Sequence, residues 1–276
     1  MKNPTFHKLN RRDFMKTSLI TSAAVAAFPS HVFADSQDGE DLTMNDLHVH
    51  LTGSFTIQNA MEVSRQRKIK FGIVEHPAPE GKIRDDKALL NYIRELRDYP
   101  VFIGVQPIYL NWSKAFSNEV LKKLDYVLMD PQTIPQEDGT YLRIWQLDAY
   151  VDDEEAFMER YMNHCLNILN HEPISIFGWP LSLPSCIGRD YYKVWTPERN
   201  QALISAAKAR NIAIEINDMA RVPDEDFIRS AKAQGLKFSF GTDSRTPAGA
   251  GRLTYGKLIV KSCGLTLEDL FVPGMN

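Results

Sequence analysis

Short apolar runs separated by amphipathic helical patterns recur along the whole chain, and this alternation constrains the fold more than any other feature. The runs are 45–51, 70–76, 101–109, 126–129, 174–177, 212–216 and 237–240. Between them, apolar residues three and four apart predict helices over 57–67, 85–98, 114–123, 153–170, 196–211, 223–234 and 253–263. Thr56, Asp85 or Asp86, and Thr196 ahead of Pro197 and Glu198 supply helix starts. Strands this short and apolar read as parallel strands buried on both faces. Right-handed crossovers then leave two solutions, a closed barrel or an open doubly wound sheet. No Gly-x-Gly-x-x-Gly follows the first strand, and ligand-type residues cluster at strand carboxyl ends, where barrels keep their chemistry. The expected fold is therefore α/β, a barrel of seven or eight βα units. Residues 130–148 interrupt the repeat, with a hairpin expected around Asp138-Gly139.

The amino-terminal 34 residues read as an export signal rather than as fold. Asn10-Arg11-Arg12-Asp13-Phe14-Met15-Lys16 is a twin-arginine pattern, followed by an apolar run from Leu19 to Phe28 and a small-residue cleavage site ending at Ala34. The run is too short to span a bilayer and is broken by Pro29, so no membrane anchor is expected after cleavage. This gives a signal over 1–34, a polar linker over 35–44 and a single domain over 45–276, in a periplasmic or secreted protein. Cleavage removes five basic residues and one acidic, leaving 27 basic against 34 acidic and a net charge of −7. An acidic chain of this kind has no electrostatic case for binding nucleic acid. Cys165, Cys186 and Cys263 are scattered and read as buried small hydrophobes.

The chemistry-bearing stretch is Asn45-Asp46-Leu47-His48-Val49-His50-Leu51-Thr52-Gly53. In an extended strand His48 and His50 project to one face and Leu47, Val49 and Leu51 to the other, so two imidazoles converge. Neutral imidazoles ligate zinc, iron and manganese. Glu75-His76, Asp130 and Thr242-Asp243 would lie at the same rim. Imidazoles plus a carboxylate suit a divalent ion that lowers the pKa of a bound water to about 7 and so supplies hydroxide as a nucleophile. His164 reads as a core-edge histidine of the long helix.

In order along the chain, Asp46-Leu47-His48-Val49-His50, Val74-Glu75-His76-Pro77, Leu124-Asp125-Tyr126-Val127-Leu128, Ile176-Phe177-Gly178-Trp179-Pro180, Glu215-Ile216-Asn217 and Phe238 to Arg245 resemble the polymerase and histidinol phosphatase (PHP) family. The resemblance covers nearly all of the mature chain. It implies a distorted (βα)7 TIM-like barrel that holds up to three divalent metals and hydrolyses phosphoesters. It places His48, His50, His76 and Asp243 at ligand positions. Gln106 stands where a bridging Glu is expected, and Gln132, Trp179 and Arg245 stand where the family has histidines. Glutamine is a weak neutral donor and tryptophan and arginine are not ligands, so the cofactor expected is one divalent metal (Zn, Mn or Fe) or none. A second resemblance, limited to residues 46–69, is to the opening of adenosine deaminases in the amidohydrolase superfamily, which need later histidines that only His164 and His171 could supply.

The leading expectation is an exported metal-dependent hydrolase acting on a phosphoester or other anionic small molecule. Asp243 and Arg245 are the catalytic candidates. Arg245, with Arg189, Arg221, Gln106 and Trp179, is a candidate for substrate binding, since guanidinium forks match phosphate oxygens. For Arg189 and Arg221 the plainer reading is a surface ion pair. The competing expectation is a catalytically degenerate barrel that binds a ligand or partner, with Trp179 and Arg245 refilling a lost metal pocket.

Overall fold

The computed structural model describes residue 42 and residues 44–274, so the twin-arginine segment and its cleavage point lie outside the described residues. Seven parallel strands close into a barrel in the order β1 (Asn45–Val49), β2 (Lys70–Ile73), β3 (Phe102–Val105), β4 (Tyr126–Met129), β7 (Ile176–Phe177), β8 (Ala213–Asn217) and β9 (Phe238–Gly241). Helices α1 (Ile57–Arg67), α2 (Asp86–Leu96), α3 (Asn118–Leu121), α4 (Glu154–His171), α6 (Pro197–Ala209), α7 (Glu225–Ala233) and α8 (Thr254–Cys263) follow the strands in turn. The architecture is a TIM-like barrel with seven strands, as the alternation predicts. Helix starts fall where the caps stand: Thr56, Asp85, Asp153, Thr196 and Asp224 each accept from backbone N–H groups of the first turn.

The interior is built by period-two alternation. Tyr126 on β4 donates to the Leu47 carbonyl on β1 at 2.7 Å, and since these strands are not neighbours its ring crosses the barrel. Gly72 on β2 and Gly104 on β3 make the room, because a Cβ at either would lie within 3 Å of the Tyr126 side chain. Leu47, Val74, Leu128, Ile176 and Ala213 complete this apolar plug. Towards the strand carboxyl ends the buried side chains turn polar, with His48, His50, Gln106, Asp130 and Glu215.

The closing seam between β1 and β9 pairs Asp46 with Phe240 and continues just past β9 with a bridge from Val49 to Ser244. Asp46 reinforces it: its buried carboxylate accepts from Thr242 N and Oγ1 at 3.0 and 2.6 Å and from Gly251 N at 2.8 Å. Burial raises the Asp46 pKa to about 6 despite these bonds. The β1 register slips against β2 between Asp46 and Val49. This bulge explains a departure from simple alternation: Leu47 joins the interior plug rather than the outer layer that Val49 occupies.

The hairpin expected after the fourth strand is present as β5 (Thr133–Pro135) paired with β6 (Tyr141–Arg143), turning through Gly139 at φ 81°. Short helices lie outside the expected elements: α5 (Tyr191–Val194) and single 3-10 turns at Gly188–Asp190 and Leu267–Asp269. Cys165 and Cys263 are buried, but Cys186 is exposed, correcting the reading of all three as core residues; it sits in the long loop between β7 and α6 rather than on a packed face. Among the described residues, no helix is long and apolar enough to cross a membrane.

Candidate metal centre

The carboxyl ends of β1 and β9 bring His48, His50 and Asp243 together, with one donor atom from each within 4.8 Å of the others. Asp243 Oδ1 lies 3.4 Å from His48 Nε2 and 3.3 Å from His50 Nε2. Both nitrogens are buried and neither makes an aligned hydrogen bond. Buried polar atoms left this way are costly, and a shared cation satisfies them. The spacing fits that occupant: Zn–N bonds of about 2.0–2.1 Å at tetrahedral angles put donor atoms about 3.3–3.4 Å apart. A neutral imidazole pair with one carboxylate also suits manganese or iron, so the donor set does not name the metal.

His48 is gripped from behind. Its Nδ1 lies 2.7 Å from Glu215 Oε1 on β8, leaving Nε2 to face Asp243. Glu215 is fully buried, and its Oε2 accepts from the Trp179 backbone N–H at 2.7 Å and from Asn217 Nδ2 at 3.2 Å. Burial opposes charge on His48, but Glu215 and Asp243 outweigh it and raise its pKa to about 10. For His50 burial prevails, helped by the charges of His48 and Arg245, and the pKa falls to about 4. Burial pushes the Asp243 carboxyl up, yet His48, His50 and Arg245 hold it well below the usual carboxylate range. The cation-free site is thus balanced by a proton on His48, which a metal ion would displace.

The other expected site residues divide. The His76 ring stands 5.0 Å from that of His50, centroid to centroid, and its Nδ1 bonds the Gln106 carbonyl at 2.9 Å, so it borders the group of three without joining it. Gln106 donates to Asp130 Oδ2 at 2.7 Å and keeps Oε1 buried without a partner. Gln132 is buried, its backbone N–H on Asp130 Oδ1 at 3.0 Å. Trp179 has φ 45°, and its indole Nε1 is likewise buried and unpartnered. Arg245 lies on Asp243, Nη1 to Oδ1 at 2.6 Å, with its side chain 45% exposed.

Two arginines are not brought to the site. Arg189 is 86% exposed and pairs with Asp190 at 3.3 Å, the plain surface reading. Arg221, at φ 56°, lines a separate rim cavity of about 560 Å³ with Tyr191, Tyr192, Asp224 and Asp226. None of the histidine–aspartate group lines that cavity. His164 and His171, the histidines a deaminase reading needs, both lie on α4, and His164 is buried there. Sequence reasoning assigned no role to Glu215 or Asp46, although both stand in quoted motifs; a carboxylate inside an apolar strand was the available signal.

No protein-family model matches the chain, and no curated protein matches it. Among solved structures it is similar to a chain of an archaeal Ribonuclease P with mature tRNA, seen by cryo-EM, at 12% identity and a TM-score of 0.36. The match covers 79% of this chain and 89% of that one. A likeness of that size says nothing about function.

Proposed function

We propose that this protein is an exported, PHP-like hydrolase with a reduced site, in which His48, His50 and Asp243 hold one divalent cation and the substrate is a phosphoester or other anionic small molecule. The observation that carries the reading is the convergence of two buried, unpartnered imidazole nitrogens on one carboxylate oxygen. A cation bound there supplies a Lewis acid and lowers the pKa of a coordinated water towards about 7. The chain's own groups do the rest. Glu215 orients His48, and Asp46 locks the strand that bears both histidines. His76 and Gln106 line the next strand ends, where Gln106 Oε1 is free to accept a hydrogen bond. Arg245 is placed to exchange its bond with Asp243 for one to a substrate oxygen.

That last contact also favours a second reading, a non-catalytic barrel that binds a ligand, because a carboxylate already neutralised by a guanidinium is a weaker ligand for a cation. A panel of phosphomonoesters, phosphodiesters and carboxylic esters, assayed with zinc-, manganese- or iron-loaded protein, separates the two. The hydrolase reading expects turnover of an anionic ester that a chelator and His50→Ala both abolish. Binding without turnover by fully loaded protein supports the second.

A further inference from the structure

Glu215 divides its two oxygens between two parts of the rim. Oε1 takes His48 Nδ1, while Oε2 takes the backbone N–H of Trp179, the first residue of a turn in which Trp179 and Leu181 stand at φ 45° and 60°. Side chains of that size adopt left-handed backbone only where the surroundings hold them. Space for the carboxylate comes from a missing side chain: a Cβ at Gly241 would overlap Oε1. Asn217, which donates to the same Oε2, also accepts from Ala220 N at 3.0 Å and so ties in the loop after β8.

We infer that Glu215 is a positioning residue that sets two parts of the site with one carboxylate: it keeps a proton on His48 Nδ1, presenting Nε2 to a cation, and it holds the Trp179 turn in place. Cation loading at His48 and the surroundings of the Trp179 indole are then coupled through Glu215, in the way outer-shell carboxylates orient ligating histidines elsewhere. The inference rests on the metal reading proposed above and deepens it.

Zinc titration of the mature chain, followed by calorimetry and tryptophan emission, tests it on wild type, Glu215→Gln and Trp179→Phe. Glu215→Gln is expected to weaken zinc binding about 10- to 100-fold. It also removes the zinc-dependent emission change, identified as the part that Trp179→Phe abolishes. A folded Glu215→Gln that binds zinc as wild type does, with the same emission change, overturns the inference and leaves the metal reading standing. Wild type that binds no zinc at neutral or mildly alkaline pH overturns both. Long-range proton–nitrogen spectra of metal-free wild type give a reading that needs no variant to fold: His48 carries a proton on Nδ1, and a neutral ring protonated on Nε2 alone refutes the inference.

Discussion

Gly241→Ala probes the packing that holds the site. Gly241 ends β9 facing inward, and a Cβ there would lie 2.7 Å from His48 Cβ and 3.0 Å from Glu215 Cδ, besides overlapping Glu215 Oε1. None of these neighbours is a loose side-chain end. His48 Cβ is fixed by the β1 bulge, and Glu215 is pinned by three hydrogen bonds. Either the strand or the carboxylate must move. Overpacking of this kind costs about 1–3 kcal/mol. Parting Glu215 from His48 adds about 1.5–3 kcal/mol, the scale of a charged hydrogen bond. The combined loss of about 2.5–6 kcal/mol corresponds to a fall in Tm on the order of 5–24 °C for a domain of this size. Thermal melts in chelator measure it, with Gly188→Ala as control, since a Cβ there meets nothing within 4 Å. The control is expected within about 0.5 kcal/mol of wild type. Should Gly241→Ala melt with the control and bind zinc as wild type does, the packing argument is wrong.

His164 is buried with both ring nitrogens unpartnered, and burial lowers its pKa to about 4 from an ordinary 6.5. A depressed histidine stabilises the fold fully above pH 6.5, and that stability is lost as pH falls towards 4; the shift amounts to about 3 kcal/mol. Urea titrations across that range should show the slope in wild type and a flatter one in His164→Leu, and equal slopes would refute the assignment. Arg245→Ala removes a cation that competes for Asp243, so zinc affinity is expected to rise by up to about tenfold, roughly 1.4 kcal/mol, in a calorimetric titration; weaker binding would show that Arg245 supports the site instead.

Much of this architecture is legible in the sequence because its signals are local. Alternating apolar strands and capped helices imply the barrel, and His48 with His50 share a face because a strand alternates. Asp243 is legible from its place just past the last strand. The rest depends on distant partners. The Glu215 bond to His48 spans 167 residues, and nothing in Glu215-Ile216-Asn217 alone shows which strand the carboxylate faces. The β1 bulge follows from pairing with β2, so the inward turn of Leu47 could not be read from alternation. Arg189 and Arg221 follow strands as site residues would, but Arg189, far along the loop after β7, pairs with Asp190, and Arg221, in the tight turn after β8, lines a different cavity.

His48, His50 and Asp243 are proposed to hold one divalent metal ion. Equilibrium dialysis of the mature chain against zinc, followed by elemental analysis, tests it most directly. One tightly held ion per chain in wild type, lost together in His48→Ala and Asp243→Ala variants that remain folded, is the expected result. A wild type that retains no ion, or variants that retain as much as wild type, would contradict it.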